Sequence, residues 1–293
     1  ILIEESRTNS SLWNNFVADG AGASVTVGQT DTFGTSLAYV LDEGAGASLK
    51  RSGTGGAIPF VSGTTYTLSA FVKAGTADRC QLHGDFATAS GGICANFGLT
   101  GNGSVLFTNG VVSASIIKCA NGYYRVSMTY NATATSNGAA GYVCMINSDT
   151  AARVPAYTGA NLTVIVFGMQ IETGAFATSY IPTTTAAVTR VVDDLTVPTV
   201  GWFGSSSGSF FGQFAENSAQ NTGGFSRIMG TSPAGRFVYR PSGGLSYQIY
   251  DGTNVAAAVA QPLNSNVKVA SSYGLGGLAI SSNGTAPGTS AFD

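Results

Sequence analysis

Apolar and polar residues alternate with a period of two in several short segments of this chain. The clearest are 64–73 and 123–130, in which every second residue is apolar. A period of two is typical of a β-strand with one buried face. No helical period of 3.6 residues persists over three turns. The pattern therefore predicts an all-β protein.

Turn-forming residues separate the β-prone segments. Thr100-Gly101-Asn102-Gly103 stands between the runs 95–99 and 104–107, which predicts a hairpin. Residues 1–3 predict a short first strand that runs into a polar turn at 4–9. Many short strands with turn chemistry between them are typical of an antiparallel β-sandwich. Because 293 residues exceed the usual length of one domain, we expect two of them.

Composition and charge limit the kinds of partner that the chain is expected to have. Charged residues make up 10% of the chain, against roughly 25% in ordinary soluble proteins. The net charge is -2 and no basic block is present, so we expect no nucleic-acid partner. No run reaches the 18 apolar residues of a membrane span, so we expect no membrane association. The first residues lack an initiator Met and a signal-peptide layout, which suggests a piece of a longer protein.

Four motifs follow one another along the chain: ILIEESRTN at 1–9, YTLSAFVKAG at 66–75, NGYYRV at 121–126, and FGMQIE at 167–172 followed by TSYIPT at 178–183. In this order they resemble a module of tailed-bacteriophage structural proteins, a jelly-roll of the carbohydrate-binding-module type. The resemblance covers residues 1–197. It implies that the FGMQIE motif forms the final strand and that TSYIPT leads out of the sandwich.

The resemblance also predicts the architecture of the rest. Related virion proteins continue into a concanavalin-A-like domain, and short β-prone runs follow residue 198. We therefore expect an antiparallel jelly-roll at 1–197 and a second, smaller or incomplete lectin-like β-sandwich at 198–293. By analogy the protein is a homo-oligomer, specifically a homotrimer, on the surface of a phage particle. Its other expected partners are virion proteins and host surface glycans.

The expected function is non-enzymatic: a tail-fibre, spike or appendage protein that presents a lectin-like surface to host glycans. Sugar binding needs exposed aromatic rings, and the candidates are Trp13, Tyr157, Trp202 and Tyr239, with burial in a sandwich core as the alternative for each. Two alternatives stay open at this point. One is a capsid decoration protein that binds no sugar, and the other is a polysaccharide-degrading enzyme.

Candidate chemistry is sparse. His83 is the only histidine, and the adjacent acidic pairs Glu4-Glu5, Asp42-Glu43 and Asp193-Asp194 put their side chains on opposite faces of a strand. We expect no cofactor, with a structural calcium as the alternative that the resemblance implies; Glu4 and Glu172 are its candidate ligands. The four cysteines form no CxxC pair and are interpreted as buried free thiols, with one or two disulfides as the alternative.

Overall fold

The chain folds into two compact units, Ile1–Leu195 and Thr196–Asp293. The sequence predicted the division two residues later, after residue 197. The computed structural model describes residues 4–13, 16–19, 22–54, 58–84, 92–139, 141–193, 207–215, 226–230, 237–241, 246–251, 253–261 and 266–291. The strands of the first unit are β1 (Arg7–Asn9), β2 (Phe16–Asp19), β3 (Ser24–Gln29), β4 (Ala38–Asp42), β5 (Ala47–Leu49), β6 (Arg51–Thr54), β7 (Ile58–Phe60), β8 (Thr65–Ala74), β9 (Arg79–Gly84), β10 (Cys94–Gly98), β11 (Ser104–Asn109), β12 (Ser113–Lys118), β13 (Tyr124–Asn131), β14 (Ser136–Ala139), β15 (Gly141–Met145), β16 (Ala156–Thr158), β17 (Thr163–Thr173) and β18 (Val188–Arg190). A short 3-10 helix, Ala120–Gly122, precedes β13.

Eight of these strands form a jelly-roll. In chain order they pair as one long antiparallel hairpin: β9 with β10, β8 with β13, β6 with β15, and β4 with β17. Two further pairings, β8 with β17 and β9 with β15, roll the hairpin into two stacked sheets. The sheets are β11-β10-β9-β15-β6-β2 (sheet I) and β12-β13-β8-β17-β4-β3 (sheet II). This connectivity confirms the predicted jelly-roll.

The core of the first unit lies between the two sheets. The alternation predicted for 64–73 is realised in β8, where Leu68, Ala70 and Val72 are fully buried. Sheet I supplies the facing residues, among them Leu82 and Phe97. Each large apolar side chain removed from water in this way contributes about 1.5–3 kcal/mol. The period of two therefore follows directly from which face of the strand meets the other sheet.

The outer face of sheet II is also covered, although its residues are polar. Thr67 and Ser69 in β8 point away from the core but are as buried as their apolar neighbours. The segment 174–183, which leaves β17, shields them, because the Thr67 hydroxyl donates to the Gly174 carbonyl at 2.8 Å. The chain therefore folds back across this face instead of running away from the sandwich.

One sequence prediction at the start of the chain is wrong. Arg7, Thr8 and Asn9 were expected in a polar turn but form β1, which pairs antiparallel with β18. The predicted first strand at 1–3 lies outside the described residues. The register joins Arg7 to Arg190 and Asn9 to Val188. A strand forms here because a second segment, 181 residues away for the Thr8–Thr189 pair, supplies the backbone partners.

The second unit is a smaller sandwich. Its described strands are β19 (Gly208–Ala215), β20 (Ser226–Gly230), β21 (Phe237–Arg240), β22 (Gln248–Tyr250), β23 (Val255–Ala257), β24 (Asn266–Gly274), β25 (Gly277–Ser282) and β26 (Gly288–Ser290). They form two four-stranded antiparallel sheets, β19-β24-β25-β26 and β20-β21-β22-β23. Val269 and Ile280 from one sheet share a core with Val238 and Ile249 from the other. The all-β prediction is thus confirmed for both units, while the lectin-like character of the second stays a prediction.

Cysteines Cys80, Cys94, Cys119 and Cys144 are all free. Three are buried, as the sequence predicted, whereas Cys119 is partly exposed. Burial raises the pKa of the Cys94 thiol to about 11, so it stays protonated near neutral pH. No helix in the part of the chain that the structure describes is long and apolar enough to cross a membrane.

Candidate functional site

Asn9 is the centre of a hydrogen-bonded cluster that joins the first sequence motif to both parts of the fourth. Its side-chain oxygen accepts from the backbone N–H groups of Ser11 at 3.0 Å and Ile171 at 3.1 Å. Its amide nitrogen donates to the carbonyls of Ile181 at 2.9 Å and Met169 at 3.4 Å. The side chain is fully buried, so all four bonds form away from water. The first motif is therefore fastened to the last strand and to the segment that follows it.

Gln170 and Glu172 complete this cluster from β17. Gln170 accepts from the Ile181 N–H at 2.8 Å and donates to the Glu172 carboxylate at 2.8 Å. Glu172 also accepts from the N–H of Thr178 at 2.8 Å and from its hydroxyl at 2.7 Å. We name the side chains of Asn9, Gln170 and Glu172, together with the segment 174–183 that they hold, the clasp.

The two candidate calcium ligands are both engaged by this segment. Glu4 accepts from the Ser179 N–H at 2.7 Å and pairs with the Arg190 guanidinium, while Glu172 holds the neighbouring Thr178. Among the described residues, no three His, Cys, Asp or Glu side chains form a group able to hold a metal ion. The structure thus brings Glu4 and Glu172 to adjacent residues, but as anchors for backbone N–H groups. Such bonds satisfy buried carboxylates without a metal.

The clasp fixes Tyr180 against the outer face of sheet II. Its neighbours on both sides, Ser179 and Ile181, are held by Glu4 and Gln170. The ring then packs edge-on against Phe167, with centroids 5.2 Å apart, and burial raises the pKa of its hydroxyl to about 12. A bulge in β17 makes room for the ring, since Gly168 has φ +59° and a Cβ there would lie 3.0 Å from Tyr180 Cε2.

Phe33 lies on top of Tyr180 and faces solvent. The two rings are nearly parallel, at 16° with centroids 6.0 Å apart, and Phe33 also meets the edges of Phe71 and Phe167. Phe33 is nonetheless 62% exposed. We name Phe33 and the three rings beneath it, Tyr180, Phe71 and Phe167, the aromatic platform. Edge-on and offset contacts of this kind favour a fixed ring orientation.

The loop that carries Phe33 is held rigidly by the buried carboxylate of Asp31. This carboxylate accepts from the N–H groups of Phe33 at 2.8 Å and Thr35 at 3.1 Å, and from the Thr35 hydroxyl. Asn121 donates to the Asp31 carbonyl at 3.1 Å, and the Tyr123 hydroxyl donates to the Thr30 carbonyl at 2.8 Å. Such closed Asx turns hold a loop in one conformation. The ring is therefore preorganised.

Polar and cationic groups border the platform. The Arg125 guanidinium lies 5.3 Å from the centroid of Phe71 and donates to the Ser69 hydroxyl at 3.1 Å. Burial lowers its pKa from the ordinary value, but a guanidinium stays protonated at any physiological pH. Lys73 lies 5.8 Å above the Tyr123 ring. An exposed ring beside fixed donors is suited to a neutral polar ligand with apolar faces.

The aromatic residues that the sequence nominated for sugar binding occupy other places. Trp13 is 5% exposed, and its ring is enclosed by Phe16, Tyr39 and Phe167 at centroid distances of 5.0–5.6 Å. A ring enclosed in this way has no free face to stack on a sugar. Its burial follows from its place between the clasp and the core.

The other nominated rings are hydrogen-bonded within their own units. Tyr157 is half-buried and donates to the Glu43 carboxylate at 2.5 Å, while Tyr239 is buried and donates to Gln248 at 2.5 Å. Trp202 lies outside the described residues. The role of Tyr157, Trp202 and Tyr239 in glycan binding stays a prediction.

His83 is a buried residue of β9 on the outer face of sheet I. Its ring stacks on Tyr142, with centroids 4.9 Å apart at 9°, and the Arg51 guanidinium lies 4.3 Å from the same Tyr142 centroid. Burial lowers the pKa of His83 well below its ordinary value, and the charges of Arg153 and Arg51 add to the effect. The imidazole is therefore neutral at physiological pH, which is consistent with a packing role.

No protein-family model and no curated protein sequence matches this chain. Among solved structures, the chain is similar to the CBM22-1–GH10 modules of the endo-1,4-β-D-xylanase 10B from Clostridium thermocellum, determined with xylohexaose. The identity is 13% and the TM-score 0.36, over 61% of this chain and 30% of that one. The chain thus spans less than a third of the xylanase chain that it matches.

Proposed function

We propose that this chain is a non-enzymatic structural protein of a bacteriophage particle, of the tail-fibre, spike or surface-appendage kind, that holds a host glycan on its jelly-roll. The phage setting rests on the resemblance of the four motifs. The first and the last of these motifs meet in the clasp, where Asn9 bonds to Ile171 and Ile181. The proposed assembly is a homotrimer with other virion proteins as neighbours.

The observation that carries the glycan proposal is the exposed, preorganised ring of Phe33. Pyranose rings present C–H groups on one face, and these stack on an aromatic surface while the hydroxyls bond to nearby polar groups. Phe33 is 62% exposed on a loop closed by Asp31, and Arg125 lies beside the platform. A ring that loses no freedom on binding retains more of the contact energy.

Absence of catalysis is part of the proposal. Glycoside hydrolysis requires two carboxyl groups that face the scissile bond. The carboxylates of Asp31, Glu172 and Glu4 hold backbone groups instead, Asp31 in its own loop and the other two on the segment 174–183. Release of reducing sugar from a host polysaccharide by the purified chain would favour the degrading-enzyme alternative.

A substitution of Phe33 tests the glycan site. Phe33→Ala, the matched control Leu37→Ala and the wild type are applied to an array of bacterial surface polysaccharides. Leu37 is a suitable control because it is 55% exposed and follows the same loop. We expect Phe33→Ala to weaken binding about tenfold, the scale of one stacking contact, with Leu37→Ala unchanged. Equal binding by all three proteins would rule out this site.

The architectural alternative has one observation in its favour. Val27 and Leu37, on either side of the Phe33 loop in the chain, are also exposed, and exposed apolar side chains are typical of contacts between subunits. If Phe33→Ala changes the mass measured by light scattering but no polysaccharide binds the wild type, the protein is a decoration protein. Localisation on particles by electron microscopy separates head from tail.

A further inference from the structure

The second unit carries an exposed aromatic ring of its own. In β19, Phe210 points into the core and Phe211 points outward and is 71% exposed. The register places Phe211 opposite Ala270 of β24, in the middle of the strand pair. Opposed side chains lie about 5 Å apart, so a methyl group is the ring's nearest cross-strand neighbour. The Phe211 ring therefore projects beyond the small side chain next to it on the sheet.

Apart from Lys268, the other described residues of this outer face are neutral. Ser209 and Gln213 flank Phe211 on the same face of β19, and Ser272 and Ser281 continue the face on β24 and β25. Burial alternates strictly along β24, which confirms that these positions are the outward ones. Hydroxyl and amide groups thus surround one ring, without another large apolar side chain among them.

The face has a single charge. Lys268, opposite Gln213, is the only Lys, Arg, Asp or Glu in β19, β24, β25 and β26, and its side chain is exposed. It lies two positions along its strand from Ala270, so about 7 Å separates its row from that of Phe211. A ring and an ammonium group at this separation suit a ligand with an apolar face and a negative group.

We propose that this face, centred on Phe211 and Lys268, binds carboxylate-bearing sugars such as hexuronate or sialate residues. The inference deepens the proposed function, on which it rests. Phe211 stacks on the C–H face of the pyranose, Lys268 pairs with its carboxylate, and Gln213 bonds to hydroxyl groups. A second copy of the chain is a poorer occupant, because stable interfaces bury about 800 Å² per partner around an apolar centre and this face offers one large apolar side chain.

The test uses the full chain and matched polysaccharides. Polygalacturonate, hyaluronan and polysialic acid are each compared with their carboxyl-reduced forms, at low and high salt, against wild type, Phe211→Ala, Lys268→Gln and Leu275→Ala. Leu275 is the control, since it is 98% exposed at the β24–β25 turn, away from the Phe211 row. We expect at least one acidic polymer to bind more tightly than its reduced form, and salt to weaken that binding.

The variants should differ in a defined way. Phe211→Ala is expected to weaken binding about tenfold and Lys268→Gln to remove most of the preference for the carboxylate, with Leu275→Ala unchanged. No preference for any acidic polymer, or equal loss in all three variants, overturns the proposal, as does a change of oligomeric mass in Phe211→Ala. Phe33→Ala in the same assay separates this site from the proposed one, because it should leave the acidic preference intact.

Discussion

Replacing Asn9 with Ala removes the centre of the clasp. The substitution deletes four hydrogen bonds and leaves the N–H groups of Ser11 and Ile171 without their acceptor. A buried donor that loses its partner costs about 1–3 kcal/mol. Two such donors give a loss of about 2–6 kcal/mol in the free energy of unfolding. This is a large part of the roughly 5–15 kcal/mol that stabilises a typical domain.

Urea unfolding followed by tryptophan fluorescence measures this loss. The matched control is Thr8→Ala, one residue away on β1, whose hydroxyl makes one exposed bond of 2.7 Å to Thr189. We expect Thr8→Ala to change the free energy by less than about 0.5 kcal/mol. If Asn9→Ala falls within that same margin, the clasp does not stabilise the first unit and the structural role assigned to Asn9 is wrong.

Three further predictions concern other residues. Gly168→Ala should destabilise the first unit by about 1–3 kcal/mol in urea, and more than Gly101→Ala, which has the same φ of +59° but open space around it; equal losses would refute the contact with Tyr180. His83 is neutral in the folded state, and below pH 6.5 it takes up a proton only when the chain unfolds. Its contribution to stability is therefore complete above that pH and is lost as the pH falls, by up to about 1.4 kcal/mol per pH unit. The difference in unfolding free energy between pH 7.5 and pH 5.5 should be smaller by about 1 kcal/mol in His83→Gln than in the wild type. A thiol reagent should label Cys119 quickly and the three buried cysteines only on unfolding, and labelling of more than one thiol in the native protein would contradict the packing.

The sequence predicted strands well wherever local alternation and burial agree. In β8 one face packs against the opposite sheet, so every second residue of 64–73 is apolar. The hairpin at 100–103 was predicted for an equally local reason, since its glycines allow the turn between β10 and β11.

Residues fixed by distant partners were not predicted. Asn9 and Gln170 were given no role of their own and Glu172 was considered only as a calcium ligand, because the bonds of all three depend on the exit segment returning across sheet II. Phe33 was missed because a single aromatic in a polar loop has no periodicity. The sequence did contain one signal: Asp31 stands two positions before Phe33 and Gly34 directly follows it, a pattern typical of an Asx turn.

Trp13 shows the opposite case. It was nominated as a sugar-stacking ring, with burial in the core as the alternative, and it is enclosed by three other rings. Sequence alone does not distinguish an aromatic residue that covers the end of a core from one that faces solvent. The distinction depends on whether another segment, here the one ending at Thr183, packs over it.

The antiparallel pairing of β1 with β18 has a mechanical consequence. Arg7 is opposite Arg190, and the Asp193 N–H donates to the Glu4 carbonyl at 3.0 Å, so the chain enters and leaves the first unit side by side. A pulling force applied through residues 4 and 193 would therefore open this strand pair one bond at a time, from its outer end. Tension along the polypeptide would act first on the β1–β18 pair, and the two sheets of the jelly-roll would carry no force until β1 had separated from β18.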